Sequence, residues 1–100
     1  MTLSTHVLDT TTGRPAAGMT VLLDGEPAGR TDEDGRLRLA GADQAGHHQL
    51  TFLTGEYFTG RGTSAFYPEV TVTFTVTSPA EHYHVPLLLS PFGYSTYRGS

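Results

Sequence analysis

Five histidines and six basic residues carry most of the side-chain chemistry open to this 100-residue chain. His82 and His84 stand two apart in EHYHVPLLL, so in a strand both point to one face, opposite Tyr83, Val85 and Leu87. The pair could begin a metal site, but a third ligand would have to come from elsewhere, and two solvent-facing histidines explain the spacing as well. His6, in STHVLDTTTGRPAAG, shares a strand face with Leu8, where a half-covered histidine needs no special role. His47 and His48 follow GADQAG and read as solvated histidines at a loop edge. Arg36 alternates with Leu37 and Leu39 and shares a face with Arg38, as two exposed hairpin residues would. DEDG opens like a calcium loop yet lacks the other ligands and the distal glutamate. No G-x-S-x-G elbow is present, no glycine-rich phosphate loop precedes a helix, and no Ser-His-Asp set is readable from spacing.

The elements that must position these residues are strands. VTVTFTVT alternates Val70, Val72, Phe74 and Val76 with four threonines, the period of a half-buried antiparallel strand. GMTVLLDG, GRLRLAG and HHQLTFLTG are further short runs bounded by glycine, with Leu50 and Phe52 on one face of the last. TDEDGR is expected to be a tight hairpin around Asp34-Gly35, and TSPAEHYH a second turn after Pro79. Only EYF suggests a single helical turn. Strands at intervals of roughly 8–12 residues predict an all-β sandwich forming one domain over residues 1–100.

Bulk properties narrow the function classes. A net charge of −4 with scattered arginines offers no footprint for nucleic acid. No run approaches the ~20 apolar residues of a membrane span, and the N-terminus lacks the charged-then-apolar pattern of a secretory signal. The absence of cysteine removes disulfides and thiolate chemistry and fits a cytoplasmic location. A chain this size buries only about 60–70% of its unfolded surface, so self-association would help it.

The ending EHYHVPLLLSPFGYSTYRGS resembles the C-terminal signature of the 5-hydroxyisourate hydrolases, the transthyretin-related proteins. STHVLDTTTGRPAAG, TDEDGR and TGEYFTG with SAFYPEVTVTFTV are similar to the family's first strand, second hairpin and middle. The terminal Tyr97-Arg98-Gly99-Ser100 is the specific feature, since hormone-binding transthyretins share the fold and lack it. The chain departs from the family mainly by a short connection, DGEPAGRTD.

The resemblance implies a sandwich of two four-stranded antiparallel sheets with at most one short helix. It further implies a homotetramer, a dimer of dimers with active sites between dimers, acting on a small molecule without cofactor, metal, nucleic acid or membrane. His6, Arg36, His84 and Ser100 map onto catalytic positions, and Tyr97, Arg98 and Gly99 join His6 and Arg36 as substrate contacts. The implied reaction opens a cyclic amide C–N bond of 5-hydroxyisourate, giving 2-oxo-4-hydroxy-4-carboxy-5-ureidoimidazoline in urate breakdown. Histidine, with an ordinary pKa of about 6.5, suits both the deprotonation of water and the return of a proton. Arg36 would hold a carbonyl or developing oxyanion. One of His6 and His84 would activate water and the other orient the substrate or return the proton, and burial between subunits would order the tail. The alternatives are a non-catalytic transthyretin-like carrier, whose channel should be apolar, and a structural module of a larger surface protein.

Overall fold

In β7 (Val70–Val76) the four apolar positions turn toward the interior and the intervening threonines toward solvent, as the alternation requires. The computed structural model describes residues 2–100, and β7 closes one of its two sheets. That sheet runs β4 (Glu26–Arg30), β3 (Thr20–Leu23), β6 (Gly46–Phe52), β7. The other has the path β2 (Arg14–Pro15), β1 (Thr2–Asp9), β8 (His82–Ser90), β9 (Gly93–Thr96), with β5 (Arg36–Leu39) also paired to β1. The only helix among the described residues, α1 (Thr54–Thr59), follows β6 and includes the expected EYF.

The inner faces meet in a core where Leu3, Val7, Leu87 and Leu89 oppose Val21, Leu50, Phe52, Val70 and Val76, all at most 2% exposed. Each such side chain contributes about 1.5–3 kcal/mol on burial. On the same inner side Thr5 donates to the Val85 carbonyl at 2.6 Å, clamping β1 to β8. Buried Asp9 at the end of β1 accepts from Tyr57 Oη at 2.9 Å and from the Thr11 N–H at 2.9 Å. Desolvation, and then this bond to Asp9, push the Tyr57 hydroxyl up to about 12, so α1 is docked through a phenol that stays protonated.

Four local expectations are corrected. One sheet has five strands, because two-residue β2 adds to the edge of β1 beside β5. Nor is that sheet purely antiparallel: β1 and β8 run parallel over eight residue pairs. Parallel neighbours need a long crossover, and here it includes the whole of the other sheet. TDEDGR is the expected tight turn, closed by Gly35 N–H to the Asp32 carbonyl and Asp32 N–H to the Arg36 carbonyl at 2.9 Å each, but not a hairpin of paired strands, since β4 and β5 lie in different sheets. Asp32 Oδ1 accepts from the N–H groups of Asp34 and Arg36, at 2.9 and 3.0 Å, and only Gly35 of the Asp-Gly pair takes positive φ. A Cβ on Gly35 would overlap the Val7 carbonyl, so glycine lets this corner press on β1. The two-residue hairpin lies instead inside DGEPAGRTD, which is a turn and a strand rather than a bare connection. Asp24 and Gly25, at φ 50° and 82°, join β3 to β4, the Asp-Gly chemistry of a type I′ turn.

His47 and His48 lie within β6, not in a loop. His48 is tied through Nδ1 to Asp24 Oδ2 at 2.7 Å and through Nε2 to the Gln44 carbonyl at 2.7 Å. The bond to Asp24 first, then that to Gln44, raises its pKa. It braces the β3–β4 turn and is far in function from a solvated side chain.

Candidate active site

Strand alternation sorts β1 cleanly: Leu3, Thr5, Val7 and Asp9 are buried, leaving Ser4, His6 and Leu8 on the outer face. Register then decides their neighbours. On one side His6 lies opposite Arg36 and Ser4 opposite Arg38. On the other, parallel β8 sets His82 beside Thr2, His84 beside Ser4 and Pro86 beside His6. Residues at paired positions share a face. His6, Arg36 and His84, thirty to eighty residues apart in the chain, therefore emerge on one surface of one sheet.

A groove of about 550 Å³ runs along this surface, lined by Ser4, Arg36, Arg38, His82, His84 and Ser100 among others. Arg30 also lines it, so three of the chain's six basic side chains converge there, against a single acidic side chain, Asp32. Arg36 has no ion-pair partner among the described residues and is free to meet a ligand. No group of three or more His, Asp or Glu is placed to hold a metal among the described residues.

His84 is half-buried, and its pKa is lowered. Desolvation is the main cause, followed by the charges of His82, His6 and Arg36, with the Ser4 backbone opposing. The ring is therefore neutral at pH 7 and able to accept a proton. His82 stacks beside it, ring centroids 6.5 Å apart and planes 12° from parallel, with Nδ1 bonded to Thr2 Oγ1.

The C-terminal residues reach this site by an interrupted ladder. β9 pairs with β8 as far as Thr96 opposite Leu87, stops where Pro86 has no N–H, and resumes in the same register with Gly99 opposite His84. The Gly99 N–H donates to the His84 carbonyl at 2.8 Å. A Cβ on Gly99 would overlap Cδ2 of the His84 ring, so glycine is required for this approach. Gly99→Ala is expected to displace the imidazole and lower kcat by ~10²-fold, the cost of an ångström-scale misplacement. Steady-state turnover, with circular dichroism to verify folding, checks it.

The tail is thus ordered within one subunit by pairing rather than by burial. Tyr97 is 59% exposed, and Arg98 and Ser100 are exposed as well. Arg98 turns to the inner side, 4.8 Å from the centroid of the Tyr83 ring and 3.6 Å from Glu81. Within one subunit it does not line the groove. Tyr97 falls opposite Pro86 and borders a separate cleft between β7 and β8. Ser4, Arg38 and Arg30 also line the groove, and sequence reasoning does not single them out as site residues. Ser4 shares the two-residue spacing of His6, a signal present in the sequence, but its proximity to His84 required the parallel pairing.

Residues 3–99 match the family model described as HIUase/Transthyretin family. A 5-hydroxyisourate hydrolase of Mesorhizobium japonicum is 48% identical over 114 residues, covering 98% of this chain and 91% of that protein. The structure of Klebsiella pneumoniae 5-hydroxyisourate hydrolase superposes with a TM-score of 0.88 at 40% identity, covering 100% of both chains. Sea bream transthyretin in complex with thyroxine superposes with a TM-score of 0.85 at 32% identity, covering 97% of this chain and 93% of that one.

Proposed function

The chain belongs to the HIUase/transthyretin family and hydrolyses 5-hydroxyisourate; we propose that the reaction takes place in the outer-face groove, with His84 as general base. The observation that carries this reading is the neutral, half-buried His84 in a groove with unpaired Arg36. The imidazole takes a proton from water as the water oxygen bonds to a ring carbonyl carbon. Arg36 holds the oxyanion that develops there. As the carbonyl re-forms, the C–N bond breaks and the proton passes from His84 to the departing nitrogen. The atoms balance as one water added across one amide bond, yielding the ureidoimidazoline carboxylate. His6, opposite Arg36 on the same face but outside the groove's own lining, orients the ring from its margin, and Ser100 completes the wall.

The same reading assembles the chain as a homotetramer, a dimer of dimers with these outer faces turned toward each other. In a single subunit Arg36, Arg38, His82 and Ser100 are all exposed. A second copy across the groove would exclude water and strengthen every charge interaction within it. A single domain over residues 1–100 and a cytoplasmic location belong to this reading too.

Likeness to thyroxine-bound transthyretin raises carriage of a small ligand as the second reading. A carrier groove would be lined by apolar and aliphatic residues, whereas this one holds two histidines and three arginines. The deciding experiment mixes the protein with freshly generated 5-hydroxyisourate and follows the loss of its ultraviolet absorbance. Hydrolysis predicts strong acceleration over buffer; a decay rate equal to that in buffer would sink it, and ultracentrifugation of the same sample reports the assembly.

A further inference from the structure

One polar contact on the outer face has no part in the steps above. Ser4 Oγ lies 2.8 Å from Nδ1 of His84, in a part-buried position fixed by the β1–β8 register. On the ring's other shoulder, the Gly99 backbone packs against Cδ2. Both atoms that flank Cγ are thereby occupied, and the edge left free is Cε1–Nε2.

A neutral imidazole carries one ring proton, and whichever nitrogen donates a hydrogen bond must hold it. A serine hydroxyl can donate or accept, so the contact alone leaves both tautomers open. The other nitrogen breaks the symmetry. Nε2 makes no hydrogen bond among the described residues, so it is the nitrogen that water can reach, and a base must present it unprotonated, which leaves the ring proton on Nδ1 facing the serine oxygen. With the proton on Nδ1, the lone pair of Nε2 is free on the open edge of the ring.

We propose that Ser4 is a positioning residue: it accepts the Nδ1–H of His84 and so fixes the tautomer whose unprotonated Nε2 can take the proton from the nucleophilic water. The inference rests on His84 acting as the base, and its test separates the two. The full-length chain, labelled with 15N-histidine, is compared as wild type, Ser4→Ala and Ser4→Thr at a pH where the ring is neutral. Two-bond 1H–15N spectra distinguish the tautomers, and His84→Ala identifies the His84 signals by their loss. Wild type is expected to show the Nδ1–H form, and Ser4→Ala to shift toward Nε2–H. Turnover by Ser4→Ala should fall in kcat by roughly 10–100-fold with KM little changed, the range for a histidine that loses its orienting partner. Ser4→Thr, which keeps the oxygen, should restore both tautomer and rate.

A wild-type ring in the Nε2–H form overturns the proposal, as does an unshifted tautomer in Ser4→Ala or full kcat in that variant while His84→Ala is inactive. Normal turnover by His84→Ala would instead overturn the role of His84 as base, and the spectra would still decide whether Ser4 governs the ring.

Discussion

His84→Ala is expected to lower kcat by ~10²–10⁴-fold, the contribution of a well-placed general base. The side chain leaves no cavity in the core, because it projects from the outer face of β8 while Tyr83 and Val85 point inward. The fold should therefore survive and the loss be one of chemistry. The pH profile gives an independent check. The base must be neutral to act, so kcat/KM falls as pH drops through the pKa of His84 in the free enzyme. Burial and the neighbouring charges hold that pKa below its ordinary 6.5. The acid limb should accordingly lie below pH 6.5 and vanish in the residual activity of His84→Ala. An acid limb unchanged in that variant would transfer the role to another group.

Arg36→Gln should cost about 10²–10³-fold in kcat, the loss expected when one oxyanion donor is removed. Glutamine keeps a polar head without the charge or the two-pronged donor geometry. The variant should also move the acid limb. The Arg36 charge is among the causes that lower the His84 pKa, so removing it raises that pKa and shifts the limb to higher pH. A reduced rate with an unmoved limb would mean that Arg36 and His84 do not act on each other. Because the two groups serve one transition state, the double variant should lose far less than the product of the single losses.

The strands were largely legible because burial on one face imposes a two-residue period, and Val70 through Val76 follow it without exception. Turn residues were read less well. Asp34-Gly35 carries the same dipeptide as Asp24-Gly25, but Asp32 captures the N–H groups around it and turns the chain toward the other sheet. Local sequence does not encode which sheet receives the next strand. His6, Arg36 and His84 were each visible as outer-face residues, and resemblance to a family brought them together. Physical reading alone could not, because their meeting depends on the β1–β8 pairing across eighty residues. The placement of Arg98 was illegible for a related reason: parity along the tail sends it toward Tyr83, and that parity is set by a ladder running through Pro86.

The parallel pairing of the first long strand with the last has a consequence for synthesis. At about 5–20 residues per second, β1 leaves the ribosome on the order of ten seconds before its partner β8 exists. Throughout that interval Leu3 and Val7 lack the neighbour that covers them, and contacts of such long range also make folding slow. The nascent chain is thus exposed and sticky until β8 has been made. The proposed site is completed later still, when Gly99 pairs with β8 and settles against the imidazole.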